Sequence, residues 1–134
     1  MNTEILDLQS VLTTYLQTAL PEYKSIIKKG PMAQDLPQKF ILVYDNGGTY
    51  SVFDQNAQPE IQILTQSVNS DQSHVYAIAV LNKVKELYDY TLSGIKIIKI
   101  KSNTLPQPLG NVGNGLFQHS FNLEIIYQLG ETQE

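Results

Sequence analysis

"LFQHSFNLEIIYQL", residues 116–129, settles what kind of domain this chain builds. Phe117, His119, Phe121, Leu123, Ile125, Tyr127 and Leu129 share one parity, and Gln118, Ser120, Asn122, Glu124 and Gln128 share the other, with only Ile126 out of place. Successive side chains of a strand point to opposite sides of its sheet, so the pattern is that of a long, half-buried strand.

Immediately upstream, "PQPLGNVGNG" (106–115) carries three glycines within six residues. A loop of that composition holds a phosphate when it follows a strand and opens a helix, because the anion then sits on the free N–H groups of the first turn. Here a strand follows instead. The Lys and Ser/Thr of a nucleotide-binding loop are missing, and the GxxGxG spacing is not the dinucleotide fingerprint. Gly and Asn supply positive φ, so 103–115 reads as a flexible turn leading into the last strand.

Working back from there, "IKIIKIKS" (95–102) is β-branched and studded with lysine, as a strand with a charged edge or face would be. Both of its parities are mixed, so the pattern leaves its inward face open. Val75, Ile78, Leu81, Val84 and Tyr88 mark an amphipathic helix over about 71–91, with Ser70 or Asp71 as its cap and Gly94 beyond its end. "PEIQILTQS" (59–67) sets Ile61, Ile63 and Thr65 against Gln62, Leu64 and Gln66, which predicts a strand. "KFILVYD" (39–45) reads as a buried strand, and "DNGG" (45–48) as a tight turn after which "TYSVF" returns antiparallel. Residues 22–38, with Gly30, Pro31, Pro37, Lys24, Lys28 and Lys29, suit a long connection. Ile5, Leu8, Leu12, Tyr15 or Leu16, and Ala19 predict an N-terminal helix over 4–20, closed by Pro21. The expected fold is therefore α+β: a mostly antiparallel sheet of four to five strands with two main helices on one face. One domain covers 1–134, and its tail is polar from about 130.

Composition narrows the function. A hydrophobic fraction of 42% and a charged fraction of 16% are those of a folded chain. No apolar run is long enough to span a bilayer, and "MNTEILDLQS" is acidic where a signal peptide is basic, so synthesis in the cytoplasm without a membrane partner is expected. Cysteine is absent, which removes disulfides, thiol catalysis and thiolate metal sites. All nine basic residues are lysine and the net charge is -4, a balance that disfavours specific nucleic-acid binding, which relies on Arg and a basic face.

No catalytic, metal or cofactor motif emerges. His74 and His119 have no partner at metal-ligand spacing, and Ser120, next to His119, points to the opposite face of its strand, so both histidines read as satisfied or surface residues. The eight tyrosines are more suggestive, since Tyr buries a large ring while keeping a polar tip. Tyr44, Tyr50, Tyr88 and Tyr90 are candidates for contacts with a subunit or partner, whereas Tyr15, Tyr88 and Tyr127 also fit apolar stripes.

Taken together, "ILDLQSVLTTYL", "FILVYDNGG", "EIQILTQS", "AIAVLNKVKEL" and "LPQPLGNVGNGLFQHSFNLEIIY" resemble, over nearly the whole chain, the small tail-terminator or tail-completion proteins of long-tailed bacteriophages, also called minor capsid proteins. Pro106, Pro108, Leu109 and Gly110 match that family's approach to its final strand, and Asn122 falls where that strand is commonly polar. Asn111 and Asn114 stand where charged residues are frequent in the family. The resemblance implies a cofactor-free structural protein of the virion's tail or neck, assembled in the host cytoplasm. It would form a ring, usually a hexamer, that ends tail-tube polymerisation and docks the head connector or stopper, with DNA passing through but not specifically bound. Contacts are then expected at Asp45, Asn46, Gly47, Gly48 and Tyr50, at Lys96, Lys99 and Lys101, and at Leu109, Gly110, Asn111, Gly113, Asn114 and Gly115. Three other roles stay open: a different neck or head-completion protein, a small-ligand binding module, and an unrecognised hydrolase that would depend on His74 and His119.

Overall fold

The last strand lies inside the sheet, paired along both of its edges. The computed structural model describes residues 7–30, 37–51, 56–92, 95–102 and 104–129. In it β7, Leu116–Leu129, has the bounds that the alternation predicts. One edge of β7 pairs antiparallel with β3 (Asn56–Ser67), from Ser67↔Phe117 to Glu60↔Glu124. Its other edge is shared end to end: β6 (Gln107–Gly113) lies along 116–120, and β5 (Ile95–Ser102) along 123–129.

The remaining strands extend this centre to both sides. β2 (Phe40–Ser51) pairs antiparallel with β3, β1 (Ile27–Lys29) joins β2 in parallel, and β4 (Tyr90–Leu92) closes the far edge on β5. The order is β1-β2-β3-β7-β5-β4, with β6 on β7, so the sheet has seven strands rather than the four to five expected. The surplus has a physical origin. β1 and β4 are only three residues long, too short for a period to show, and β6 is a glycine- and proline-containing strand whose residues are all exposed.

Three other expectations need correction. Residues 22–38 are not simply a connection, because a 3-10 helix (Pro21–Ile26) and β1 lie within them. The 45–48 segment is not a hairpin turn: β2 continues through it with a register shift between Asp45 and Gly48, and Gly47 takes a φ of 93°. The chain reverses after Ser51, so the partner of "FILVYD" is β3 rather than "TYSVF". Likewise 103–115 is not a free loop, since β6 occupies most of it and the turn into β7 is made by Asn114 and Gly115, at φ 55° and 72°. Ile5, Phe53 and the polar tail from 130 lie outside the described residues.

A β-bulge explains why the parity of 95–102 is mixed. Ile95 and Ile97 oppose Leu129 and Tyr127, the register shifts between Ile97 and Lys99, and Ile100 then opposes Ile125. The extra residue returns the next isoleucine to the core side. Lys96, before the shift, stands across from Gln128, and Lys99 and Lys101, after it, across from Ile126 and Glu124, so all three share the outer face.

α1 (Leu8–Ala19) and α2 (Ser70–Val84) both pack on the core face. Leu8, Leu12 and Leu16 of α1 and Val80 and Val84 of α2 share one buried cluster with Ile41, Val43, Ile61, Ile63, Phe121, Leu123 and Ile125 of the sheet. Burying each large aliphatic side chain contributes about 1.5–3 kcal/mol. α1 starts at Asp7, whose carboxylate accepts from Ser10 N at 3.1 Å, and stops before Pro21, as expected. Gln9 ties it to the sheet, donating from Nε2 to both Gly30 O and Val43 O at 2.9 Å.

α2 is capped one residue earlier than expected, by Asn69, which accepts from Gln72 N at 3.1 Å. Its face is also rotated: Ser73, Tyr76, Ala77, Val80 and Val84 are buried, whereas Val75 is 47% exposed and Tyr88, beyond the helix end, 71%. Small side chains at 73 and 77 let the helix lie close to the sheet, and that close approach outweighs the larger apolar stripe.

Candidate assembly interface

Of the first sequence-predicted contact group, Asn46 reaches the outer row that the lysines of the second group share, whereas Asp45 stands opposite the core residue Ile61. At the β2 bulge, Asp45 Oδ1 accepts from Gly47 N at 2.8 Å, and Asn46 Nδ2 donates to Glu60 Oε1 at 3.3 Å. Glu60 stands directly across the ladder from Glu124, and Lys101 Nζ reaches Glu124 Oε1 at 3.7 Å. The bulge and the lysine-bearing strand therefore share one row across β2, β3, β7 and β5. Lys96 pairs with Asp89 at 3.0 Å, while Lys99 is exposed with no ion pair among the described residues. Gly48 and Tyr50 lie in the β2–β3 ladder opposite Pro59 and Ala57.

The third group lies apart, towards the start of β7. β6 is paired on one side only, and residues 104–115 contain no charged side chain. Leu109 and Val112 are 47% and 46% exposed, and Gly110, Asn111, Gly113, Asn114 and Gly115 are all exposed. Asn111 Oδ1 accepts from Gly113 N at 2.8 Å, which shapes the approach to the turn. Natural edge strands are commonly guarded by charge, proline or bulges. β6 has Pro108 and two register shifts, but none of the lysines that protect β5. Its ladder edge is thus irregular while it exposes the apolar side chains of Leu109 and Val112, which suits side-chain docking more than strand addition.

The sequence reading missed several features. Exposed Val68 and Val75 lie where β3 ends and α2 begins, beside the β6–β7 end of the sheet, because Ser67 pairs with Phe117. They line an open cleft of about 330 Å³ with Lys39, Asn69, Asp71 and Gln72. Val75 belongs to the apolar stripe that marks the helix in the sequence, and the rotation of α2 turns it outward.

A second cleft, of about 550 Å³, opens between α1, the 3-10 helix and β1, lined by Thr13, Gln17, Ser25, Lys24, Lys28 and Lys29, among others. Lys29 is engaged with Asp7 at 3.3 Å and Ser10 Oγ at 2.6 Å, whereas Lys24 and Lys28 form no ion pair among the described residues. The hydrogen bonds from Ser10, reinforced by Lys29, hold the exposed Asp7 carboxyl below the ordinary carboxylate value. The run of three lysines within six residues was the only signal for this cleft.

A serine–histidine contact does form, between residues 46 positions apart. His119 Nδ1 lies 3.0 Å from Ser73 Oγ, and Thr65 Oγ1 lies 3.1 Å from the same oxygen and donates to Ser73 O at 2.9 Å. Ser73 and Thr65 are fully buried and His119 is 4% exposed, so the group fastens α2 to β3 and β7 inside the core, and none of the three lines either cleft. The His74 ring, on an exposed residue, lies 5.2 Å from that of His119. Burial, followed by the nearby His74, pushes the pKa of His119 below its ordinary value. Among the described residues, no group of three or more His, Asp or Glu is placed to hold a metal ion.

No family model and no curated protein matches the sequence. Among solved structures, the fold is similar to that of a chain in "Virion of native gene transfer agent (GTA) particle", with a TM-score of 0.63 over 90% of this chain and 94% of that one, at 11% identity. The likeness is one of fold across nearly the full length of both chains. No helix of the described residues is long and apolar enough to cross a membrane.

Proposed function

We propose that this chain is a structural component of a tailed-phage-like particle, a tail terminator that caps the tail tube as a ring, ends its polymerisation and presents the docking surface for the head connector. The observation that carries the reading is the near full-length fold likeness to a chain of a gene transfer agent virion, reached independently of the sequence resemblance. The surface is compatible with an assembly role. An uncharged hairpin with Leu109 and Val112 exposed lies at one end of β7, and a charged row crosses the outer face farther along it. A net charge of -4 per chain also suits a ring through which DNA passes, because each added cation on the wall would contribute counterion-release affinity. On this reading the protein works without a cofactor or catalytic residue, within the virion, with copies of itself, tube protein and connector as partners.

The test is the mass by light scattering of the purified protein, alone and then with the tube protein of the same particle. A ring of about six chains, free or formed only on the tube, is the expected result. A chain that stays monomeric and ignores tube protein would sink the terminator reading and favour another neck component.

A further inference from the structure

We infer that one copy of this chain docks its Glu60–Glu124 row into the lysine cleft of the next copy; the inference rests on the ring reading above. Two like charges directly across an antiparallel ladder are destabilising unless a counter-charge is supplied. Glu60 and Glu124 occupy such a site, both half-buried. Among the described residues the pair has Lys101 at 3.7 Å from Glu124, and Glu60 receives only the neutral amide of Asn46. Among the described residues Glu60 is therefore left without a counter-charge.

The opposite imbalance sits at the β1 edge. Lys24 and Lys28 border an open cleft with no carboxylate among its lining residues, and Lys29 is already matched by Asp7. The cleft also offers the hydroxyls of Thr13 and Ser25. The outward carbonyl of Ile27 is capped by Gln17 Nε2 at 2.9 Å, which leaves the β1 edge better suited to receiving side chains than to pairing with a strand.

The two surfaces lie on different parts of the sheet: the cleft at its β1 edge, the carboxylates at its β3–β7 centre. Their contact is therefore heterologous, joining copies head to tail, the type of interface that generates a closed ring when the rotation per copy allows it. Facing charges of opposite sign would set register and speed encounter, and the contact would weaken with ionic strength.

The experiment is sedimentation velocity on the full chain at high concentration and low salt, with circular dichroism to verify folding. Wild type should associate, and should dissociate as salt is raised. Lys24→Glu/Lys28→Glu and Glu60→Lys/Glu124→Lys should each weaken association by about tenfold or more. An equimolar mixture of the two should restore it, because each variant then meets a complementary surface on the other. Glu60→Gln/Glu124→Gln provides a milder variant should the reversal not fold, and it too should weaken association. A wild type that remains monomeric, or reversals that associate as wild type does, overturns the contact. If the reversals still form rings on tube protein, this pairing is wrong while the terminator reading stands.

Discussion

His119 joins a helix to two strands through Ser73 and Thr65, and its titration should be visible in the stability of the whole chain. Its folded-state pKa lies below the ordinary 6.5, so the unfolded chain takes up a proton at higher pH than the native one. The stabilisation is then complete above about pH 6.5 and is lost as pH falls through the folded-state value. Thermal unfolding from about pH 8 to about pH 5 should show a falling Tm at the acid end, and His119→Gln should flatten that slope. Equal slopes would mean that the acid sensitivity originates elsewhere. Leu123, fully buried between Ile61 and Ser102 in the ladders, provides the contrasting case. Leu123→Ala should cost about 2–5 kcal/mol in chemical denaturation, at any pH, because it leaves a cavity rather than altering a charge.

At the scale of elements, the bulge in β5 makes an unusual forecast. Deleting Ile98 leaves Ile-Lys-Ile-Lys-Ile-Lys, which alternates without interruption and keeps Ile95, Ile97 and Ile100 on the core side. The shortened chain should retain its circular dichroism spectrum and a cooperative unfolding transition, whereas deleting Ile63 should abolish both, since every later residue of β3 would change face. For β6, Leu109→Ser with Val112→Ser should leave Tm nearly unchanged and impair assembly with tube protein; normal assembly would remove the hairpin from the interface. The same comparison shows where sequence patterning is informative. β7 and the core residues of β3 were legible because one face is apolar and the other polar along an uninterrupted ladder. β5 was opaque because a single inserted residue breaks its period. β6 was invisible as a strand because it buries nothing, and burial is what writes alternation into a sequence. The rotation of α2 was hidden for another reason: Ser73 and Ala77 earn their place by being small, a property that hydrophobicity does not record. In the candidate interface, the lysines of β5 and the glycine-rich approach to β7 stood out as motifs. The Glu60–Glu124 apposition could not be read, since it depends on the register between strands far apart in the chain.

For the molecule as a whole, the arrangement of the sheet matters more than any one contact. β7 separates β3 from β5 and carries β6 as well, so without it the sheet falls into disconnected hairpins and fragments. A chain ending at residue 115 should therefore show no cooperative thermal transition, although it keeps both helices and six of the seven strand segments in its sequence. A native-like melt of that truncation would show that the β1–β2–β3 half folds by itself. β7 is also the last of the seven strands to be synthesised, so β3 must wait for its central partner. The nascent chain holds Ile61 and Ile63 unshielded until β7 arrives, and its final collapse depends on long loop closures, which slow folding. An organism producing this protein in quantity would thus have reason to hold it on a chaperone until translation has passed residue 129.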